Sequence, residues 1–406
     1  YVDERMKSGV ASAYIVISDV SRFGTINAMF GTDYGDNVLR TLGSFLNNYN
    51  SDTILIARLR SDEIIMWIEN RNPQQLGRTI NRLTKRAARW LQERGAPQEI
   101  GFHVATVKYP EAGNSLEECI ANGRVALGIA KEIGDGKPVA FDPAMLDEIE
   151  YEANVHHLLS RGIHRNEIDV VYQPKVDVRS GATIGLEALA RWHPAELGAV
   201  SPETFIPIAT RHDMIVPLGK RVVERVFSDI PLIGATMGDI VTSVNISPWF
   251  FLQPGFTNYI HSTAETFGIK PAAVCFEITE DVFVRDMAAL EAIMNALRET
   301  GFLISLDDFG KGYSSLYYIG NLAFNDFFFN DTATTEIYTS ERGLSLFESI
   351  CTIATTYGMH VVAEGIERKT QAERLLTTSC STAQGFFYAR PGTISELLTN
   401  IAREDA

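Results

Sequence analysis

The sequence predicts an α/β protein of two domains, the second closing as a β/α barrel. Three observations carry this. The chain has 406 residues, more than one typical domain. Residues 1–143 alternate strand-like and helix-like stretches. From Ile168 onward, short apolar runs end in a carboxylate or amide and most are followed by a helical segment. Such alternation argues for a parallel sheet, and so many units in the remaining chain argue for a barrel.

In chain order, 13–17 (AYIVI) reads as a buried strand and 37–46 has helical spacing. Residues 53–57 and 64–68 are apolar runs with charged residues between them, a hairpin pattern. Residues 116–133 read as a helix stopped by Gly134 and Gly136. The acidic stretch 147–152 reads as a helical connector. Strands are then predicted through Val171, Leu186, Val244, Phe276, Leu306 and Val362, with helices over 204–227, 287–300 and 345–357. Ser201-Pro202-Glu203 opens the first of these helices with a capping serine, a proline at the first position and an acid in the first turn.

Composition narrows the function. The chain is 45% hydrophobic and 21% charged, as in ordinary globular proteins. Its net charge of −15 argues against binding nucleic acid polymers, which needs a basic footprint. A small nucleotide held through a metal ion remains compatible, because the metal supplies the positive charge. The four cysteines show no CxxC spacing, which argues against a zinc cage or disulfide framework and fits a reducing cytosol. No run reaches the roughly 18 apolar residues of a membrane helix, and no signal peptide is visible. The expected location is therefore the cytoplasm. The chain opens at Tyr1 without a methionine, which leaves room for an upstream sensor or a membrane-attached segment.

The strand ends of the second domain carry Glu187, Asn245, Glu277, Asp307, Asp308 and Glu364. Taken singly, an acid after a strand usually caps a helix or lies in a solvated loop. In a barrel, however, chemistry sits at the C-terminal strand ends, and these side chains would converge on one rim. Converging carboxylates raise one another's pKa unless a cation is present. Oxygen donors select hard ions, so Mg²⁺ or Mn²⁺ is expected. The adjacent pair Asp307-Asp308 could bridge two ions, the arrangement used in phosphoester hydrolysis. Asp308-Phe309-Gly310 matches the kinase triplet, but the chain has no HRD-type catalytic loop and no glycine-rich loop followed by a strand lysine. His156-His157, far in sequence from the acids, is expected to be structural and solvent-facing.

At these positions the sequence resembles a known family. Glu187-Ala188-Leu189-Ala190-Arg191 is similar to the signature of EAL phosphodiesterases, which hydrolyse cyclic di-GMP to the linear dinucleotide. Tyr172-Gln173-Pro174-Lys175, Val244-Asn245-Ile246-Ser247, Phe276-Glu277-Ile278-Thr279-Glu280, Leu306-Asp307-Asp308-Phe309-Gly310, Ala363-Glu364-Gly365-Ile366-Glu367 and Gln384-Gly385-Phe386 follow in family order. The resemblance implies that Glu187, Asn245, Glu277 and Asp307 hold a first metal ion. Asp307, Asp308 and Glu364 would hold a second. Glu367 would support the loop around Asp308, Gln384 would position substrate or water, and Gln173 and Arg191 would contact the dinucleotide.

Residues 1–143 resemble a GGDEF domain, the nucleotidyl-cyclase-like fold of diguanylate cyclases. Asp19 sits at the first metal motif, Asn27 and Asp36 at the guanine positions, and Lys131 at a phosphate-contacting position. The signature reads Arg60-Ser61-Asp62-Glu63-Ile64, so Glu63 survives and both glycines are gone. Side chains there block backbone approach to a triphosphate. The inhibitory RxxD motif is absent, with Ser51 and Ile54 at its ends. This half is therefore expected to be a degenerate cyclase domain, acting either as a packing or dimerisation scaffold or as a GTP-sensing regulator. The expected organisation is a degenerate, N-terminally truncated GGDEF domain over 1–143, a helical connector over 144–155 and an EAL domain over 156–406. The resemblance implies cyclic di-GMP as partner, GTP at the first domain, and a homodimer.

One segment departs from the family. A Lys-Ile-Asp strand is expected about twenty residues after Asp307-Asp308, and Phe328, Phe329 and Asn330 stand in its place. Residues 326–339 are foreign to the family and resemble translated sequencing-adapter sequence. Either a catalytic lysine has been lost or the written sequence is wrong there. The leading expectation is a cyclic di-GMP phosphodiesterase with a degenerate regulatory GGDEF domain. The alternative is a cyclic di-GMP receptor that binds in the same pocket without turnover.

Overall fold

The computed structural model describes residues 2, 6, 12–51, 54–69, 71–97, 99–307, 322, 324–329, 341–397 and 399. The chain divides into two compact units, Tyr1–Glu152 and Ala153–Ala406.

The first unit is built on a five-stranded sheet. Its strands are β1 Ala13–Val20, β2 Ile54–Arg60, β3 Glu63–Glu69, β4 Phe102–Tyr109 and β5 Val139–Ala140, in the order β2-β3-β1-β4-β5. All eight residues of β1 are buried, because both faces of this central strand are covered. Tyr14, Val16 and Val20 pack in one cluster with Leu42, Leu83 and Phe102. Ile15 and Ile17 pack in another with Trp67, Val107 and Leu127. The expected hairpin is β2–β3, antiparallel, with an irregularity between Arg58 and Arg60. The expected helix at 37–46 extends over Thr32–Asn47. Helix Leu116–Ile133 has its expected bounds, capped by the Ser115 hydroxyl at Glu118 N–H and ended by Gly134 at φ 66°.

The second unit is a closed barrel of eight strands. They are β6 Ile168–Asp177, β7 Thr183–Trp192, β8 Val241–Asn245, β9 Val274–Thr279, β10 Leu303–Asp307, β11 Asp326–Phe329, β12 His360–Ala363 and β13 Thr382–Ala383, adjacent in chain order. The sheet is not wholly parallel, which corrects the expectation. β6 runs antiparallel to both β7 and β13, whereas the other neighbours pair in parallel. The cause is local. No helix separates β6 from β7; residues 178–182 turn the chain directly, with Asp177 Oδ1 accepting from Ser180 N–H at 2.7 Å and Gly181 at φ 73°.

The expected single helix at 204–227 is two helices, Pro202–Arg211 and Ile215–Met237. The break falls at Asp213, whose φ of 57° cannot continue a helix. Ser201 does precede the first helix, but its hydroxyl faces Thr204 Oγ1 at 3.4 Å rather than a backbone N–H. The later helices span Met287–Glu299 and Glu341–Thr356. His156 stacks on His212 with centroids 4.0 Å apart, and His157 is exposed. The four cysteines are free and buried. Among the described residues no helix is long and apolar enough to cross a membrane.

Candidate functional site

Side chains alternate along a strand, so every second residue of each barrel strand faces the interior. Strand register stacks Gln173 beside Glu187, Glu187 beside Ser243, and Asn245 beside Glu277. Asn245 and Asp307 end their strands, and Glu364 directly follows β12, as expected. Glu187 does not end its strand. It lies in the middle of β7, because the hairpin with β6 extends that strand to Trp192.

Glu187 is the hub of the interior. Its Oε1 accepts from Asn245 Nδ2 at 2.7 Å, and its Oε2 accepts from Gln384 Nε2. Gln384 also donates to Gln173 Oε1 at 3.1 Å, and Gln173 Nε2 donates to Ala389 O at 3.0 Å. Burial and the nearby Glu277 push the Glu187 carboxyl up to about 7, against the opposing effect of Lys175. Burial, followed by Asp307, Glu187 and Glu277, likewise raises Glu364 well above the usual carboxylate range. Lys175 offsets these effects only in part. The buried Gln384 Oε1 accepts no hydrogen bond from any described residue. An oxygen-rich, electron-rich interior of this kind suits a hard cation. Among the described residues, no group of three or more His, Cys, Asp or Glu side chains is placed to hold a metal ion.

The structure thus brings together Gln173, Glu187, Asn245 and Gln384 by hydrogen bonds, and Glu277, Asp307 and Glu364 by charge. Arg191 is set differently: its guanidinium donates to Ala190 O at 2.8 Å. Glu367 is exposed, and its N–H donates to Gln371 Oε1 at 3.0 Å. Asp308, Asn330 and the side chain of Phe328 lie outside the described residues.

Sequence reasoning gave no role to Lys175. This lysine is buried, and its Nζ donates to Glu277 Oε1 at 2.6 Å and Ser243 Oγ at 2.5 Å. Burial alone would discharge it, but Glu277 and Glu187 hold its pKa above the free-lysine value. A lysine two residues from Gln173 on a buried strand was the available signal.

In the first unit, Asp19 is buried on β1 and is met by Lys131 and, at 3.0 Å, by His103 Nδ1. Glu63 opens β3 and is met by Arg124 at 2.7 Å and Arg60 at 3.5 Å. Burial works against ionisation of Glu63, but these two arginines hold its carboxyl below the ordinary value. Asn27 is half-buried and Asp36 exposed, each on its own helix. Ser61 takes φ 46° in the β2–β3 turn, a conformation that glycine adopts without cost. His103 and Arg124 were not expected, because no local pattern links them to the acids they contact.

The family models agree with both units. The model described as EAL domain matches residues 157–391, and that described as Diguanylate cyclase, GGDEF domain matches residues 3–137. The chain is 27% identical to the bifunctional diguanylate cyclase/cyclic di-GMP phosphodiesterase MucR of Pseudomonas aeruginosa, over 99% of this chain and 60% of that protein. It is 28% identical to an uncharacterized signaling protein of Caulobacter vibrioides, over 97% of this chain and 49% of that protein. It therefore spans about half to three-fifths of these curated relatives. Among solved structures, the PaMucR phosphodiesterase in its c-di-GMP complex is 30% identical with a TM-score of 0.57, covering 60% of this chain and 99% of that one. The S helix-GGDEF-EAL segment of Vibrio cholerae LapD, bound to c-di-GMP, shares the fold at 19% identity and a TM-score of 0.55, over 95% of this chain and 91% of that one. With its carboxylate-lined barrel and its preceding five-stranded domain, the chain belongs to the EAL domain family and carries a GGDEF domain in tandem ahead of it.

Proposed function

We propose that this chain is a cyclic di-GMP phosphodiesterase whose GGDEF domain is regulatory and does not synthesise the nucleotide. The observation that carries the reading is the Glu187 hub, joined to Asn245, Gln384 and Gln173 inside a barrel where burial and neighbouring carboxylates raise Glu364 and where Glu277 is met by Lys175. In the reaction, a water oxygen bonds to phosphorus and the P–O3′ bond breaks. The departing oxygen takes a proton, leaving a linear dinucleotide with a 5′-phosphate. Glu187, Asn245, Glu277 and Asp307 would hold one divalent ion, and Asp307, Asp308 and Glu364 a second. Mg²⁺ or Mn²⁺ would supply positive charge to the phosphodiester and acidify a water molecule. Gln173 and Arg191 would contact the dinucleotide, Gln384 would orient it or the water, and Glu367 would brace the Asp308 loop. The proposed module boundaries are 1–143, 144–155 and 156–406.

A specific feature favours a second reading, a receptor that binds cyclic di-GMP without turnover. Phe328 and Asn330 stand where the family pattern expects the lysine that readies the water and its supporting aspartate. Calorimetry of the full chain distinguishes binding from its absence. Cyclic di-GMP is expected to bind in the presence of Mn²⁺; no heat at high micromolar ligand, with folded protein, overturns both readings. Glu187→Ala removes a carboxylate and leaves Asn245 without its acceptor, while Gln384 keeps only Gln173. It should weaken Mn²⁺ binding by at least the roughly ten- to hundredfold that losing an outer-shell partner costs, and abolish any hydrolysis.

The same protein incubated with GTP and Mg²⁺ is expected to give no cyclic product. Arg60 and Ser61 replace the phosphate-loop glycines, and Glu63 is already neutralised by Arg124. Cyclic product that disappears in Glu63→Ala would contradict this. GTP bound through Asn27, Asp36 and Lys131 would serve only as a regulator, detected as a change in the hydrolysis rate.

A further inference from the structure

Lys175 stands inside the barrel where the proposed metal-binding carboxyls meet. It lies on β6, the antiparallel strand, in register with Gly185 of β7. Gly185 leaves its stem room: a Cβ there would already sit 3.7 Å from Lys175 Cβ and Cδ and 3.2 Å from Val241 O. The ammonium reaches past β7 to Ser243 on β8 at 2.5 Å and Glu277 on β9 at 2.6 Å. Cys275 and Ser305 line the same layer, with their side chains 2.8 Å apart, and Asp326 Oδ2 accepts from Ser305 at 3.4 Å.

We propose that Lys175 is a positioning residue that acts as a built-in counter-ion: it holds Glu277 in place and competes with a divalent ion for that carboxylate. This rests on the metal-binding reading of the same site. The geometry gives two reasons. One Glu277 oxygen is already engaged by a cation that cannot dissociate from the chain. In addition, a fixed positive charge within a few ångströms repels a second cation, strongly so in a water-poor interior. The pocket is thereby kept assembled without metal, at the cost of weaker metal affinity.

The test measures Mn²⁺ binding and thermal stability for the full chain, Lys175→Met and Lys175→Gln, with cyclic di-GMP binding measured alongside. Glutamine keeps hydrogen-bond donors but removes the charge, so it separates charge from packing. Both variants are expected to bind Mn²⁺ at least tenfold more tightly than the parent, to melt lower without Mn²⁺, and to gain more in Tm when it is added. A purely structural lysine would lower Tm and leave Mn²⁺ affinity unchanged. Unchanged, weaker or undetectable Mn²⁺ binding by folded Lys175→Gln overturns the proposal. So does failure of both variants to fold with Mn²⁺ present, because the ion should replace the missing charge. A parent that ignores cyclic di-GMP, beside a Lys175→Gln variant that gains Mn²⁺ affinity, would refute the proposed function while supporting the counter-ion. The reverse pattern would refute the counter-ion alone.

Discussion

The double substitution F328K/N330D is expected to raise cyclic di-GMP hydrolysis by about a hundred- to ten-thousand-fold over the unsubstituted chain. That is the usual range for a general base or a group that readies the attacking water. The backbone is prepared for the change. β11 runs Asp326–Phe329, and position 328 pairs in register with Val362 on β12, two residues before Glu364. Alternation gives position 328 the same strand face as Asp326, whose carboxyl meets the interior Ser305. A lysine there would therefore enter the ring that contains Glu187 and Glu364. Linear dinucleotide measured over time in Mn²⁺ is the readout. If the folded double variant binds cyclic di-GMP and still releases no linear product, the lysine is not what the chain lacks, and the receptor reading gains. Resequencing the gene across codons 320–345 is the complementary check on the origin of these residues.

Gly385→Ala is expected to destabilise the barrel unit by about 3 kcal/mol or more and to abolish cyclic di-GMP binding. A Cβ at 385 would stand 2.1 Å from Ile366 O, 2.4 Å from Ile366 N and 2.6 Å from Ile366 C. These are backbone atoms, so no side chain can swing aside to relieve the clash. The same close approach ties the loop after β12 to the loop after β13. Ile366 N–H donates to Gln384 O at 3.2 Å, and Phe387 N–H donates to Ile366 O at 2.9 Å. Separating these loops would move Glu364 and Gln384 apart, and Gln384 holds Glu187 to Gln173. Urea unfolding and calorimetry measure the two effects. Wild-type stability and affinity in Gly385→Ala would show that the loops need not pack this tightly.

Much of the architecture was legible because it depends on local periodicity. The run at β1, the helix stopped by Gly134, and the apolar strands ending near Asn245, Asp307 and Glu364 each reflect nearby residues choosing strand, helix or turn. The ordered motifs carried the family for the same reason, since each is a short stretch around one strand end. The errors fell where local pattern was read too coarsely. Asp177 and the Ser180-Gly181 turn signalled a direct hairpin, and the assumption of uniform β/α alternation passed over it.

By itself the sequence determined the two α/β domains, the barrel, and which oxygen-bearing side chains the second domain presents. Only the tertiary structure decided how those side chains are partnered. Gln384 meets Gln173 across 211 positions, Lys175 meets Glu277 across 102, and Lys131 reaches Asp19 from a different element of the first unit. The physical reason is that such pairings follow from strand register and barrel closure, which set distances between remote residues. A one-residue change of register would turn the same side chains to the other face of the sheet. Charge balance inside the barrel therefore became visible only once β6 was seen to run antiparallel and to carry Lys175 into the interior beside Glu277.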